Sequence, residues 1–431
     1  MVRAFAYNVV MKEFEKYLET RVGYARHDQL GNMARALELL GHPERNIRTI
    51  HLAGTNGKGS AAKFLNNILI EAGLRVGLYT SPHMMEINER IRLDNKNIED
   101  HRMEAYLEEL GPLIEKLDGQ GINLRYFELL TLIAILYFRD ERVDVAIMEA
   151  GVGGLYDATN IMDRKILSLL MNIGYDHMNV LGDSLEEIAL NKAGIIDQKA
   201  LIYPMDERPL NVLIDYCRQR NIDYFVLDRK DLSMEKAGDG YSFSWKNYRD
   251  ISLSSPAPYQ VYNAAMALMA ADYLRENKVF DLSEENIRRG LESFTWPGRM
   301  ELISDQPRII LDGAHNELGI KVLVDSLAGM SYKKLIVIVG NLEDKDYQVM
   351  AKNLQILEAS FILTDVAYGK RSLDSDVLGQ FYGRSLVIRD NKKALEKALD
   401  LYEEGDLILV TGSLYLIADF RKIILDKKAS N

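Results

Sequence analysis

The 431-residue chain holds one cysteine, two tryptophans and nine prolines. The lone thiol, Cys217, closes no internal disulfide and cannot complete a Cys-rich zinc centre. Basic residues are also in short supply, with 53 Lys and Arg against 64 Asp and Glu and a formal charge of −11. Together with the lack of a Lys/Arg-rich run, this removes the electrostatic footprint of a nucleic-acid binder. An acidic chain can still build a positive pocket for an anionic ligand. Long apolar runs are missing too. The strongest, residues 129–138, contains Thr131 and is closed by Arg139-Asp140. It has about half the ~20 residues that span a bilayer, so a buried helix is expected. The segment 1–17, with Asn8 interrupting its short apolar stretch, lacks the layout of a signal peptide. A reduced, cytoplasmic protein with no nucleic-acid or membrane partner is expected.

What is present is an ordinary globular balance, 47% hydrophobic and 27% charged, which argues against wholesale disorder. Apolar runs of strand length alternate with amphipathic segments of helix length, the pattern of α/β layering. Strands are expected at 47–53, 76–80, 143–149 and 166–173, with a helix over 61–72. Between 225 and 256 the texture changes. Tyr241-Ser242-Phe243-Ser244-Trp245 alternates with period two after Gly238-Asp239-Gly240, which predicts a small β-ribbon. A helix over 262–275 follows. Trp296-Pro297-Gly298-Arg299 then punctuates the chain, and strand–helix alternation starts afresh. Further strands are expected at 308–311, 335–339, 361–364, 386–388 and 407–410, with helices over 347–359 and 392–403. Two α/β domains follow from this, residues 1–296 and a smaller doubly wound 297–431.

The sharpest chemical feature is Gly54-Thr55-Asn56-Gly57-Lys58-Gly59-Ser60, which follows a strand and opens a helix. Backbone N–H groups in such a loop converge on phosphate oxygens, and the helix N-terminus adds positive potential. Lys58 would reach the terminal phosphates and Ser60 would touch a Mg²⁺ ion. The spacing is shorter than G-x-x-x-x-G-K-[ST], and a Gly-rich turn with a solvated lysine is the ordinary alternative. Three more loops follow strands: Thr80-Ser81-Pro82-His83, Glu149 to Gly154, and Asp176-His177. Singly these are a loop serine, a capping glutamate and a surface histidine. In register at neighbouring strand ends, Ser81, Glu149 and His177 make one candidate Mg²⁺ site.

Two weaker features lead nowhere. Gly151-Val152-Gly153 starts like a dinucleotide fingerprint, but Tyr156 stands where its third glycine belongs. Asn191-Lys192-Ala193-Gly194 resembles a guanine-reading loop, yet Gly194 supplies no carboxylate. In the second half, Asp312-Gly313-Ala314-His315-Asn316 and Thr411-Gly412-Ser413 each follow a strand, where they suit a ribose or a phosphate. An Asx turn explains Asp312 almost as well.

Assembled, these motifs resemble the folylpolyglutamate synthase and dihydrofolate synthase family of the Mur ligase superfamily, over nearly the whole chain. The matching parts are GTNGKGS at 54–60, TSPH at 80–83, FE at 127–128, EAGVGG at 149–154, DATN at 157–160, DH at 176–177 and NKAGI at 191–195. YNAAMAL at 262–268, WPGR at 296–299, DGAHN at 312–316 and TGSLY at 411–415 complete them. The resemblance implies a P-loop-type parallel-sheet ATPase domain with a β-ribbon subregion and a Rossmann-like second domain. It implies an ATP-dependent amide ligase, in which a folate-linked carboxylate becomes an acyl phosphate and the amine of L-glutamate attacks it.

Carried over by position, Asn56, Gly57, Lys58, Gly59, Ser60, Asn263, Arg299, Asp312 and Ser413 would bind ATP. Ser60, Ser81, Glu149, His177 and Lys192 would hold two Mg²⁺ ions. Lys192 would carry a CO₂-derived carbamate, and Lys58, Lys192 and His315 would be catalytic. Tyr126, Phe127 and Asp157 would bind the folate. The segment around Arg26-His27-Asp28 bears on whether dihydropteroate is also accepted, and Leu155 and Met178 depart from the commoner pattern beside the folate pocket. A monomer is expected. The alternatives are a Mur-type ligase for another carboxylate and a nucleotide-binding regulator without turnover. Against a cell-wall ligase, only 53 residues precede Gly54 where an extra substrate domain is usual.

Overall fold

The first sheet has eight strands, six of them formed by largely apolar runs of four to six residues. The eight are β1 (Thr49–Ala53), β2 (Val76–Tyr79), the short hairpin β3 (Ile91–Leu93) and β4 (Lys96–Asn97), β5 (Val145–Glu149), β6 (Lys165–Leu170), β7 (Lys199–Ile202) and β8 (Asp223–Val226). Their order is β4-β3-β2-β5-β1-β6-β7-β8, and only β3 runs antiparallel to its neighbours, β2 and β4. Every residue of β1 is buried, as expected of a central parallel strand covered on both faces. The computed structural model describes residues 16–18, 20–21, 29–367 and 371–429, so Arg26-His27-Asp28 and most of 1–17 lie outside it.

Topology selects the place for a ligand. The chain leaves β1 for β2, skipping the position that β5 later fills, and β6 pairs on the opposite side of β1. The loop after β1 therefore sits at a switch point, where open parallel sheets leave a crevice beyond their carboxyl ends. That loop leads into the helix Lys58–Glu71, three residues earlier than the pattern predicts, because Gly57 at φ 88° turns the chain directly into it. Few side chains tolerate that backbone. The apolar run at 129–138 lies inside the helix Tyr126–Asp140, buried without a break from Glu128 to Phe138. Among the described residues no helix is long and apolar enough to cross a membrane.

The β-ribbon expected at 225–256 is a three-stranded sheet, β9 (Leu232–Ala237), β10 (Gly240–Trp245) and β11 (Tyr248–Leu253), in the order β11-β10-β9. The last sheet holds β12 (Glu301–Asp305), β13 (Arg308–Leu311), β14 (Leu335–Val339), β15 (Ala359–Leu363), β16 (Ser385–Val387) and β17 (Leu407–Thr411). It is ordered β12-β13-β17-β14-β15-β16, and only β12 runs antiparallel. Ile310, Val337, Val339, Leu363 and Leu409 form its core with the helices that cover them. The helix expected over 347–359 ends at Leu354. The chain turns there, Leu357 N–H bonding to Leu354 O, and Ala359 opens β15 against β14.

The chain forms two compact units. The first comprises residues up to Ser233 with Trp245–Ile251 and Tyr262–Phe294; the second comprises Met234–Ser244, Ser252–Val261 and Thr295–Asn431.

Within the first unit, the helix Glu284–Glu292 approaches the helix Lys58–Glu71 so closely that a Cβ on Gly290 would lie 2.4 Å from Ile68 Cα. Alanine favours a helix over glycine by about 1 kcal/mol, whereas overpacking costs about 1–3 kcal/mol. Here the obstruction is backbone and cannot swing away, so overpacking wins. Gly290→Ala is expected to lower the urea midpoint of unfolding with an unchanged m value; an unchanged or raised midpoint would contradict this packing.

Candidate functional site

The loop after β1 is closed from several sides. A Cβ on Gly54 would lie 2.6 Å from Met171 Cβ, and one on Gly57 would lie 2.6 Å from Asn263 Oδ1. Thr55 is tied to the loop after β6 by its N–H to Asn172 O at 2.7 Å and its Oγ1 to Gly174 O at 3.0 Å. Lys58 folds back so that Nζ donates to Gly54 O at 3.0 Å and to Thr55 O at 3.3 Å. Lys192, buried at the end of the helix Leu185–Ala193, donates to the same Gly54 carbonyl at 2.9 Å. Two lysine nitrogens thus converge on one oxygen. Burial, with Lys58 close by, lowers the Lys192 amine to about 7, while Asp176 and Asp157 act in the opposite direction.

Glu149 ends β5 and is buried. Its Oε1 is 3.9 Å from Lys58 Nζ, and its Oε2 accepts the Ser81 N–H at 3.1 Å. Ser81 precedes a cis peptide bond to Pro82. Two residues on, His83 Nδ1 accepts from Arg90 Nε at 2.9 Å, which places the proton of the neutral ring on Nε2. Burial, with the adjacent Arg90 cation, pushes this imidazole down to about 3. The Arg90 guanidinium also lies over the Tyr126 ring, 5.4 Å from its centroid. Phe127 occupies the space beside Gly151, where a Cβ would come within 2.6 Å of the ring.

Asp157 caps the short helix Ala158–Ile161 and holds the preceding loop. One carboxylate oxygen accepts from Thr159 N and Oγ1, and the other accepts from Val152 N at 2.9 Å. Asn191 braces the same loop, its Oδ1 accepting from Gly154 N and its main-chain oxygen accepting from Leu155 N. The Asn-Lys pair of the NKAG segment is thereby divided between two tasks, loop support and the buried amine. His177, at φ 52°, starts the helix Met178–Leu181, with Nε2 3.9 Å from Asp176 Oδ1.

In the second unit, Asp312 is buried with an Asx turn to Ala314 N at 2.9 Å. Its other oxygen accepts from Met300 N at 3.0 Å and Tyr259 Oη at 3.2 Å, so it also clamps the segment after the Trp-Pro-Gly-Arg turn. Burial raises its pKa, and the charge of Arg299 counters the shift. His315 Nδ1 donates to Gly313 O at 2.8 Å, which leaves Nε2 as the basic nitrogen. Ser413, also buried, accepts the Tyr415 N–H through its Oγ at 3.2 Å.

Lys58, Ser81, Glu149 and Lys192 are thus joined through Gly54 and its neighbours, while Arg299, Asp312, His315 and Ser413 belong to the other unit. Among the described residues no three of His, Cys, Asp and Glu cluster as metal ligands. The donors present, one buried carboxylate with serine hydroxyls beside a phosphate-type loop, fit Mg²⁺, which keeps waters and takes substrate oxygens. The sequence pattern did not single out Arg90 or Tyr259. The Glu89-Arg90 pair just before β3 offers a faint signal for the first, and nothing local marks the second.

Residues 52–271 match the Mur ligase middle domain, and residues 298–414 match the Mur ligase glutamate ligase domain. The chain is 34% identical to the dihydrofolate synthase/folylpolyglutamate synthase of Bacillus subtilis, over 95% of its own length and 98% of the relative's. Its fold is similar to the Mycobacterium tuberculosis folylpolyglutamate synthase complexed with ADP and AMPPCP, with a TM-score of 0.89, 27% identity and coverage of 97% and 99%. It is also similar to the Yersinia pestis bifunctional folylpolyglutamate synthase/dihydrofolate synthase complexed with AMPPNP and Mn ion, with a TM-score of 0.84, 28% identity and coverage of 96% and 98%. With the phosphate-type loop, the paired lysines and the buried glutamate all in their motif positions, the chain belongs to the folylpolyglutamate synthase/dihydrofolate synthase family of Mur ligases.

Proposed function

We propose that this protein is an ATP-dependent ligase that joins L-glutamate to the glutamate side chain of a folate, with dihydropteroate as a second candidate acceptor. The observation that carries this reading is the convergence of Lys58 and Lys192 on Gly54 O, with Glu149 3.9 Å from Lys58 Nζ. A carboxylate is a poor electrophile. Its oxygen therefore takes the terminal phosphoryl group of ATP, ADP leaves, and the glutamate amine attacks the acyl carbon and expels phosphate. Bringing these anions together requires fixed positive charge.

In this reading the loop Asn56 to Ser60 and the start of its helix bind the phosphates, and Lys58 offsets their charge. Asn263, beside Gly57, and Arg299, Asp312 and Ser413 bind the nucleotide. His315, whose ring is held through Nδ1, takes the proton that the attacking amine must lose. Tyr126, Phe127 and Asp157 form the folate side. Ser60, Ser81, Glu149, His177 and Lys192 would hold two Mg²⁺ ions, which would supply charge stabilisation at the transferred phosphoryl group. The buried Lys192 amine is suited to reaction with CO₂. Its nitrogen forms the new N–C bond and loses a proton, turning a cation that repels metal into an oxygen donor. At ~4 Å and an effective dielectric near 20, an ammonium opposes a divalent ion by roughly 8 kcal/mol. A cytoplasmic monomer accords with this reading.

Lys58→Ala is expected to lower ATP- and glutamate-dependent turnover by on the order of a hundredfold or more. Its circular dichroism should be unchanged, because the side chain contributes little to the core. Turnover near wild type would remove the loop from the phosphate site. The panel of acceptors, reduced folates and dihydropteroate, is measured on the same preparation.

Carbamate formation needs the neutral amine, which is lost as pH falls through about 7. Turnover should therefore drop below that pH and recover when bicarbonate is raised. Lys192→Ala should lose roughly a hundredfold, regain part of it with acetate, and lack the ¹³C carbamate resonance that wild type shows with labelled bicarbonate. An active wild-type enzyme without that resonance would exclude the modification.

A further inference from the structure

Behind the loop that Asp157 supports lies a buried histidine to which neither the phosphate nor the metal reading assigns a task. His51 sits in the middle of β1 with no exposed surface, and its Nε2 is 2.8 Å from Thr159 Oγ1. Thr159 Oγ1 in turn is 2.5 Å from Asp157 Oδ1. Among the described residues His51 Nδ1 has no hydrogen-bond partner. Three polar side chains thus form a line from the centre of the sheet to the loop beside Phe127.

The protons along this line admit two arrangements, because a hydroxyl has one hydrogen to give. In the first, His51 Nε2–H donates to Thr159, and Thr159 donates to an ionised Asp157. In the second, Asp157 is protonated and donates to Thr159, Thr159 donates to His51 Nε2, and the ring proton sits on Nδ1. The second leaves a buried N–H with no acceptor, a rarer and costlier defect than an unfilled acceptor. It also protonates a carboxylate whose oxygens already receive the Val152 and Thr159 N–H groups at 2.9 and 3.0 Å. Both considerations select the first. Full burial and the nearby Lys165 charge hold the imidazole well below its ordinary range, so the ring stays neutral. Lys165 is itself turned to Asn160 Oδ1, whose amide donates to Leu155 O and Gly194 O.

We propose that His51 is a positioning residue for the acceptor substrate: as the Nε2–H tautomer it orients the Thr159 hydroxyl toward Asp157. Asp157 then remains an acceptor-only anchor that holds Gly151 and Val152 in place beside Phe127. This rests on reading that face as the folate side. His51 touches no substrate, so its removal acts on acceptor binding and leaves nucleotide binding alone.

The tests are steady-state kinetics and ¹⁵N imidazole NMR on the full-length protein. His51→Leu is expected to raise KM for the folate acceptor about tenfold, with kcat within threefold of wild type and KM for ATP unchanged. His51→Gln, which can present an N–H at the same reach, should bring the acceptor KM back to within threefold. Thr159→Val, combined with His51→Leu, should give no further increase, because the two act through one line. This pair also keeps the idea testable if one variant folds poorly. In wild type the His51 ring should show the Nε2–H pattern, unchanged between pH 5.5 and 8.5. An Nδ1–H pattern, a titration inside that range, or an unaltered acceptor KM in both single variants would overturn the proposal. A wild type that ligates no folate would defeat the ligase reading instead, and the tautomer pattern would still decide whether His51 orients Thr159.

Discussion

Two lysines share one carbonyl oxygen, and the arrangement of the candidate site follows from that crowding. With each Nζ within 3.0 Å of Gly54 O, the two nitrogens are at most about 6 Å apart, where two full charges repel by about 3 kcal/mol at an effective dielectric near 20. Lys58 keeps a carboxylate within reach, since Glu149 Oε1 is 3.9 Å away. Lys192 is the more deeply buried, and its amine is the one driven toward neutrality. Such a place is unstable for two cations alone and welcomes a ligand that brings negative charge.

The sheet makes this crowding possible. Lys58 and Lys192 come from helices 114 residues apart at their near ends, Lys58–Glu71 and Leu185–Ala193, and Glu149 comes from a third segment. They meet because β1 lies between β5 and β6, so the ends of three parallel strands open onto one crevice. Glycines with no room for a side chain keep the loops close: Gly54 against Met171, Gly57 against Asn263, Gly151 against Phe127. Placement is therefore a property of strand order and close approach, and no individual loop contains it.

Much of this was legible in the residues. Strand-length apolar runs gave the alternation of the two α/β sheets, and the Gly-rich loop announced itself by lying between a strand and a helix. Element ends were less legible. The helix Lys58–Glu71 starts early because a left-handed glycine turns the chain, and the one at Tyr347 stops at Leu354 because the following residues pair with β14. Long-range polar contacts were not legible at all. Asn191 bracing Gly154 and Tyr259 reaching Asp312 join segments 37 and 53 residues apart in the chain, and neither pairing is marked in its own neighbourhood. The histidine in β1 is the extreme case, a polar residue inside an apolar run whose partner, Thr159, lies 108 residues away.

The interleaving of the two compact units also bears on the order of synthesis. Pieces of the second unit, Met234–Ser244 and Ser252–Val261, precede a stretch of the first, Tyr262–Phe294. Tyr259 leaves the ribosome 53 residues before the Asp312 that its hydroxyl meets. The strand β17, which lies between β13 and β14 in the sheet, comes later still. At translation rates of roughly 5–20 residues per second, the early pieces wait on the order of 10 to 30 s for their sheet. The first unit can close around β1 during synthesis, whereas the second must be assembled after most of the chain has emerged, and the nascent chain carries strands β9 to β11 partly uncommitted until then.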